Sequence, residues 1–447
     1  MKTFSHQEQF QAALHILREL IDGGYEAFFA GGWVRDYLMG NSKQGDIDIA
    51  TNATPKVISK LFAHTLSVGE QFGVMVVMHK GIPFEVATFR SDIGIKDGRH
   101  PQDVVFTDAR TDALRRDFTI NGMFYNPFSQ EVIDYVGGKE DLGTKIVRAI
   151  GNADRRFSED YLRTLRAVRF AAQLDFSIEE NTFRAIKECA PQIRSISPER
   201  IFTELDKMLC GPHPHLAIEM LHECGLLGEV LPEVAALAGV EQPPQFHPEG
   251  DVFTHTLKAL RLLEEPSSPV AWSTLLHDIG KPPTMSITDR IRFNNHHHVG
   301  AKMSQEVLRR LRASNHMTET VSSIVGNHMN FMNVRKMRLS TLKKFLARET
   351  ISEELQLHRV DCLASHGDLS NYHFVKAKLT EFKREQIKPP PFLSGRDLIG
   401  LGLEPGPIFG RILERVYDLQ LEERIENRQQ AVEFVEKRWV MCRGDKK

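Results

Sequence analysis

Cysteine is scarce in this chain: 447 residues carry five thiols, Cys189, Cys210, Cys224, Cys362 and Cys442. Their number is odd and no two form a Cys-x-x-Cys pair, which argues against a disulfide framework and a zinc ribbon. Reduced, mostly buried thiols are expected. Long apolar runs are missing as well. None approaches the ~18 residues needed to span a bilayer, and Met1-Lys2-Thr3-Phe4-Ser5 lacks the basic-then-apolar order of a secretory signal. The expectation is a cytoplasmic protein with no membrane partner. Neither sign of charge is in excess: 57 Lys+Arg stand against 59 Asp+Glu, a net charge of −2. A polyanionic partner is usually met by a basic balance, so here it requires local clusters. Arg115-Arg116, Arg155-Arg156 and the series Arg163, Arg166, Arg169 offer them; Arg335-Lys336 with Arg338 is as easily a solvated surface.

What is present is an ordinary globular composition, 41% hydrophobic and 26% charged, long enough for two to four domains. Gln9 to Leu20 has helical apolar spacing. Glu26 to Ala30 is a short apolar run that ends in Gly31-Gly32, a strand-to-turn signature. Asp46 to Thr51 alternates like a half-buried strand. Val74 to Met78 and Phe84 to Phe89 read as strands joined by a hairpin turn at His79-Lys80-Gly81. After Gly151 strand signals nearly vanish. Ser158 reads as the N-cap of a long helix through Leu174, and helical periodicity continues to about Leu227. Pro243-Pro244 marks a linker, and a histidine-bearing helical segment runs from Phe246 to about Gly367. Pro389-Pro390-Pro391 opens a last segment with a charged helix from Ile408 to Trp439. No internal repeat or low-complexity tract is evident. The expected architecture is an α/β head with a small mixed sheet, followed by an all-α body. Its divisions are a head at 1–150, a helical neck and body at 151–240, a histidine-bearing domain at 241–370 and a helical tail at 371–447.

Asp46-Ile47-Asp48 is the first chemical signal. In a strand, residues i and i+2 share a face, and two neighbouring carboxylates repel unless a cation compensates. Hard divalent cations favour oxygen ligands, and Glu85 on a neighbouring strand offers a third carboxylate. Two ions ~3.5–4 Å apart would activate an attacking hydroxyl and steady a leaving group. Gly31-Gly32 followed by Arg35-Asp36 places a flexible turn and helix start just before this pair, where backbone N–H groups can cradle phosphate. Downstream, Arg115-Arg116 in Arg115-Arg116-Asp117-Phe118-Thr119-Ile120-Asn121 suits a triphosphate, because guanidinium matches phosphate oxygens in a fork. Arg90-Ser91-Asp92 through Asp97-Gly98-Arg99-His100-Pro101 is polar and turn-rich between two strand signals, the composition of a mobile loop.

Two further patterns lie in the helical part. In Glu159-Asp160-Tyr161-Leu162-Arg163 the Asp and Arg are three apart and share a helix face; taken alone this is most often a surface ion pair. The second is an ordered series: His255, His277-Asp278, His296 in a triple-histidine run, His328 and Asp361. A lone helical histidine is usually structural, but an ordered series of His, His-Asp, His, His and Asp on successive helical segments is far more specific. Imidazole suits Mn, Fe, Co, Ni or Zn better than Mg.

Together these segments resemble a known family. Gly31-Gly32-Trp33-Val34-Arg35-Asp36 with Gly45-Asp46-Ile47-Asp48 resembles the signature of class II tRNA nucleotidyltransferases and bacterial poly(A) polymerases, within the polymerase-β-like nucleotidyltransferases. The resemblance implies Asp46 and Asp48 as Mg²⁺ ligands, with Glu85 where the family keeps its third carboxylate. It implies phosphate and sugar contacts for Gly31, Gly32, Arg35, Arg115, Arg116, Asp117 and Asn121, with Gly122 standing where alanine is more usual. Arg90, Asp97 and Arg99 resemble the flexible loop of CCA-adding and A-adding enzymes. Asp160 and Arg163 match the family's base-reading Glu-Asp-x-x-Arg motif. A carboxylate accepts from the exocyclic amino group of cytosine or adenine, and a guanidinium donates to the ring nitrogen beside it. Arg166 either assists with phosphate or holds the pair in place.

His255, His277, Asp278, His296, His328 and Asp361 resemble an HD-domain phosphohydrolase site; His-x-x-x-Gly spacing favours His296, with His297 and His298 as alternatives. That implies phosphatase or 2′,3′-cyclic phosphodiesterase activity. The activity implied for the whole chain is template-independent addition of CCA to a tRNA 3′ end from CTP and ATP. The alternatives are A-addition alone, a poly(A) polymerase, or an HD phosphohydrolase with an RNA-binding head. The sequence does not fix the oligomeric state.

Overall fold

The computed structural model describes residues 5–41, 46–69, 72–95, 101–243, 245 and 248–440. The chain divides into two compact units, Met1–Ala235 and Ala236–Lys447.

The first unit opens with a helix over His6–Asp22, started by a capping box in which Ser5 and Glu8 bond reciprocally to each other's backbone N–H groups. Ala12, Ala13, Ile16, Leu17 and Leu20 recur on one face of this helix. They are fully or almost fully buried in a core shared with Phe29, Trp33, Ile49 and Val86. Burial of each large aliphatic side chain contributes roughly 1.5–3 kcal/mol.

Nine strands follow in the α/β part: β1 (Ala27–Ala30), β2 (Asp48–Thr51), β3 (Thr65–Gly69), β4 (Val74–His79), β5 (Ile82–Thr88), β6 (Arg90–Ile95), β7 (Pro101–Phe106), β8 (Phe124–Asn126) and β9 (Glu131–Ile133). Seven of them form one sheet in the order β3-β4-β5-β2-β1-β8-β9. All its neighbours are antiparallel except β2 and β5, where Ile49 pairs with Val86 and Thr51 with Thr88. This is the mixed sheet with flanking helices expected of the head. The β4–β5 hairpin turns at Lys80 and Gly81, both in the left-handed region (φ 52° and 83°), as a two-residue turn matched to strand twist requires.

Several expected boundaries move. β2 begins at Asp48, so Asp46 precedes the strand instead of sharing it. The stretch read as a mobile loop is strand on both sides: β6 and β7 pair as a separate antiparallel ribbon, Arg90 opposite Phe106. Asp97 and Arg99 lie outside the described residues. Ser158 is not an N-cap. Asn152 caps a helix over Ala153–Glu159, accepting from Arg155 N–H, and Ser158 sits inside it. The chain then breaks at Asp160, whose backbone is extended, before the helix Leu162–Leu174. The Asp160 carboxylate accepts the Leu162 N–H at 3.1 Å, the local bond with which Asp competes against a continuous helix.

Among its described residues the second unit is helical apart from a short hairpin, Met285–Ile287 with Ile291–Phe293, that apolar spacing did not reveal. The helices Val252–Arg261, Ser268–Leu276, His296–Arg310, Asn315–Asn327 and Ile351–Ala364 carry the histidine series. Near the C-terminus the expected single helix is two, Ile408–Leu421 and Arg428–Val435, separated where Glu423 turns left-handed (φ 59°) and Asn427 caps the second. Among the described cysteines none is paired. Cys224 and Cys362 are buried, Cys189 is half-buried and Cys210 exposed, so burial is less general than expected.

Candidate active site and metal centre

Gly31 sits where β1 turns into the helix Gly32–Leu38. Its φ is +70° with ψ −142°, a conformation that L side chains rarely adopt. A Cβ there would lie 3.4 Å from an Asp48 carboxylate oxygen and 3.5 Å from an Arg116 guanidinium nitrogen. The glycine thus lets the turn pass close to the start of β2.

Asp48 is the first residue of β2, one step before the Ile49–Val86 pairing, which sets it next to Glu85 on β5. Burial pushes the Asp48 carboxyl up to about 6; Glu85 and Asp46 add to the rise and Arg116 opposes it. Asp46 and Glu85 are exposed. A partly buried carboxyl with two acidic neighbours and a raised proton affinity has the chemistry of a divalent-cation ligand, because a cation removes the repulsion that otherwise favours the proton.

Asp48 faces a cavity of about 490 Å³, lined also by Gly31, Gly32, Arg35, Arg115 and Arg116. From the helical side come Asp117, Asn121, Asp160, Arg163, Arg166 and, unforeseen, Leu162, Phe170 and Arg200. The arginines are fixed by partners behind the cavity. Arg35 is buried, donating to Asp36 and to Asn121 Oδ1, each at 2.8 Å. Arg115 and Arg116 both donate to Asp112, whose carboxyl burial would raise but these two guanidinia hold low. Arg35, Arg166 and Arg169 lie 5.3, 5.4 and 4.1 Å from the Phe170 ring centroid, so an aromatic face separates their charges.

Arg166 donates to Asp117 from two nitrogens, at 2.8 and 2.5 Å. It therefore holds Asp117, the sugar-contact candidate, and makes no bond to Asp160 or Arg163. Those two do not pair with each other through their side chains. Arg163 donates to the Glu159 carboxylate at 2.5 Å and the Arg156 carbonyl at 2.8 Å. Asp160 accepts from Arg200 at 2.6 Å. Arg200 lies forty residues downstream, on the helix Pro198–Leu209, and no local spacing in the sequence points to it. Of the loop candidates, Arg90 begins β6 and donates to the Phe72 carbonyl.

The histidine series converges in the second unit. His255, His277, His296 and His328 are buried, with Asp278 beside them. Each ring uses Nδ1 on an acceptor: Glu249 at 2.7 Å from His255, the Thr274 carbonyl at 2.8 Å from His277, the Phe293 carbonyl at 2.9 Å from His296, and the Val325 carbonyl at 2.6 Å from His328. A carbonyl only accepts, so in those three rings Nδ1 carries the proton and Nε2 presents its lone pair inward. His277 Nε2 is buried without a hydrogen-bond partner among the described residues.

The donor atoms fall into two groups, His255–His277–Asp361 and Asp278–His296–His328, each with its ligand atoms within 4.8 Å of one another. Burial lowers the proton affinity of His328 to about 3 and that of His296 in the same direction. For His255 burial is outweighed by hydrogen bonds to Asp361 and Glu249, which raise it to about 9. An orphaned buried nitrogen among inward lone pairs and carboxylates fits a divalent transition metal. Of the triple histidine, His296 joins the cluster; His297 is half-buried and His298 exposed. Glu249, which orients His255, was not anticipated from the sequence. Asp278, His296, His328 and Asp361 open on a cavity of about 620 Å³, walled partly by the Ile291–Phe293 strand.

Comparison with known proteins is consistent along the chain. Family models match at residues 27–148 (Poly A polymerase head domain), 175–237 (probable RNA and SrmB-binding site of polymerase A) and 252–365 (HD domain). The CCA-adding enzyme of Geobacillus thermodenitrificans is 44% identical over 218 residues, 48% of this chain and 54% of that protein. The chain thus spans about half the length of this relative. The CCA-adding enzyme of Streptococcus mutans is 31% identical over 433 residues, 96% of this chain and 97% of that one. The crystal structure of the Bacillus stearothermophilus CCA-adding enzyme in complex with CTP superposes over all of both chains with a TM-score of 0.76 at 27% identity. No helix among the described residues is long and apolar enough to cross a membrane. With an α/β head that positions Asp48 against an arginine-lined cavity, a helical body and an HD domain, the chain belongs to the CCA-adding enzyme family of tRNA nucleotidyltransferases.

Proposed function

We propose that the chain adds C and A nucleotides to the 3′ end of tRNA from CTP and ATP, without a nucleic-acid template, in the cytoplasm. One observation carries this reading. A single cavity has Asp48 and the Gly31 turn among its lining residues together with Asp160 and Arg163, so a carboxylate suited to metal and a base-reading pair serve the same bound nucleotide. Asp46 and Asp48, with Glu85 beside them, are the residues to hold Mg²⁺. When bound, Mg²⁺ would neutralise charge on the triphosphate and make the attacking 3′-hydroxyl easier to deprotonate. The chain's own part is positioning and charge neutralisation. Gly31, Gly32, Arg35, Arg115 and Arg116 receive phosphate. Asp117 and Asn121 face the sugar, each pre-oriented by an arginine. Asp160 accepts the exocyclic amino group shared by cytosine and adenine, and Arg163 donates to the adjacent ring nitrogen. Uracil and guanine reverse that order and are refused.

The boundaries that fit this division of labour are a head to residue 150, a neck and body to 240, an HD domain to 370 and a tail to 447. For the HD domain the reading is a phosphohydrolase, a phosphatase or 2′,3′-cyclic phosphodiesterase, dependent on a transition metal such as Ni, Mn, Co, Fe or Zn. The inward Nε2 atoms support it.

tRNAs ending before the CCA, or in C or CC, incubated with each NTP alone and mixed, test the polymerising activity. C and A added to the shortest tRNA is the expected result. A added only to the CC-ending tRNA would replace this reading with an A-adding specialist.

A further inference from the structure

We infer that Asp141, which is not among the residues lining the nucleotide cavity, is a positioning residue for the choice of ribose over deoxyribose. It acts through the Thr119 hydroxyl. This rests on the reading of Asp117 and Asn121 as the sugar contacts.

Asp117 and Asn121 stand at the two ends of one short segment, and their polar groups are already divided. Asp117 Oδ1 accepts the Phe118 N–H at 2.9 Å, and Oδ2 accepts from Arg166. Asn121 Oδ1 accepts from Arg35 at 2.8 Å, and its carbonyl oxygen accepts from Arg116 at 3.2 Å. Asn121 therefore turns its NH₂ group to a sugar as a donor, and Asp117 its outer lone pairs as acceptors. A 2′-hydroxyl both donates and accepts, and deoxyribose offers neither bond. Both ends can serve one hydroxyl only while the spacing between them is kept.

That spacing is set from behind. Thr119, in the middle of the segment, is buried. Its N–H donates to the Arg148 carbonyl at 3.0 Å, and the Ile150 N–H donates to the Asp117 carbonyl at 3.1 Å. The Thr119 hydroxyl donates to Asp141 Oδ2 at 2.7 Å. Asp141 is buried too, and both its oxygens accept from Arg148 Nε, at 3.1 and 3.0 Å. Arg148 in turn lies 3.5 Å from Glu179, the N-cap of the helix Glu180–Cys189. The helix that carries Asp141, Gly138–Gly143, presses directly on Thr119: a Cβ at Gly138 would lie 2.3 Å from the Thr119 carbonyl oxygen. Asp134 holds the start of that helix, accepting the N–H groups of Val136, Gly137, Gly138 and Lys139 at 2.9 to 3.1 Å. The buried carboxylate thus has a fixed place, and its charge-assisted bond transmits that place to the sugar segment.

The test uses the full chain adding one A to a CC-ending tRNA, and reads the ratio of kcat/KM for ATP to that for dATP. Equilibrium binding of the two nucleotides is the second measure. Thr119→Val removes the hydroxyl and keeps the shape; Thr119→Ser keeps the hydroxyl; Asp141→Asn keeps the size and removes the charge. Each is checked for an intact melting transition. Thr119→Val should lower the ratio about tenfold, through loss of ATP use with dATP use unchanged. Asp141→Asn should lower it in the same direction, and Thr119→Ser should restore the parent ratio. A structural role alone would depress ATP and dATP equally. An unchanged ratio in Thr119→Val and Asp141→Asn, with Asn121→Ala still lowering it, overturns this inference and leaves the sugar contacts standing. A ratio that Asp117→Asn and Asn121→Ala also leave unchanged overturns the sugar reading itself.

Discussion

The Asp160 carboxylate is held by Arg200 at 2.6 Å and not by Arg163, its neighbour in the motif. Arg163 is fixed separately by Glu159. The two groups proposed to read the base thus have independent anchors. Removing Arg200 loosens only the carboxylate. A charge-assisted hydrogen bond is worth about 1.5–3 kcal/mol, and each 1.4 kcal/mol is about tenfold. Arg200→Ala should lower kcat/KM for CTP and ATP by about tenfold or more and raise UTP misincorporation. Single-nucleotide incorporation assays measure both, and unchanged discrimination against UTP would remove the positioning role.

Asp48 gives the first unit a pH signature. Its carboxyl, raised to about 6 by burial and then by Glu85, favours the folded metal-free state while protonated. That contribution is complete below the ordinary carboxylate range and is lost as pH rises through about 6. A bound cation replaces the proton. Mg²⁺ should therefore raise the melting temperature of the first unit more at pH 7.5 than at pH 5. Equal shifts at both pH values would show that Asp48 does not bind the ion.

Arg166 and Asp117 form a pair in which burial alone would raise the Asp117 carboxyl, yet the guanidinium holds it low. The stability from this carboxylate is present above its unfolded value and is lost as pH falls below the ordinary range. Asp117→Ala leaves the guanidinium without its partner. The cost should be up to about 3 kcal/mol, less than for a fully buried pair because Arg166 keeps a third of its side chain exposed. Urea unfolding at neutral pH measures it. A loss below 0.5 kcal/mol, roughly the worth of an exposed pair, would contradict this account.

Gly280 follows the His277-Asp278 pair where the chain crosses the helix His296–Arg310. A Cβ there would lie 2.1 Å from the His296 carbonyl oxygen and 2.6 Å from the Gly300 nitrogen, both backbone atoms that cannot swing away. Gly280→Ala should displace His296 and lower the bound transition metal, measured by elemental analysis of the purified chain. Full metal content in this variant would show that the crossing can open without moving the ligand.

Much of this was legible in the sequence because it is written locally. The Gly31 turn, Asp48, the adjacent arginines and the ordered histidines each stand in short segments whose residue types state their chemistry. The His296 choice within the triple histidine also followed from spacing to Gly300. What was not legible depends on distant partners. Arg200 meets Asp160 from forty residues away, Arg166 turns to Asp117 across forty-nine, and Glu249 reaches His255 through a turn of polar, unpatterned chain. The helix break at Asp160 was missed because continuous apolar periodicity hides a side chain that caps its own downstream N–H. Gly122, standing where alanine is more usual in the family, has a tertiary reason: a Cβ would lie 2.7 Å from Val136 Cγ2 and 3.1 Å from Ile150 Cδ1.

Three of the four converging imidazoles are fastened to the carbonyl three residues earlier in their own segment: His277 to Thr274, His296 to Phe293 and His328 to Val325. Their aim is thus set by the backbone that carries them and not by one another. Loss of one ring leaves its neighbours still pointing inward. The gap it leaves has the shape of a small heterocycle among fixed lone pairs, a vacancy that free imidazole from solution is built to fill.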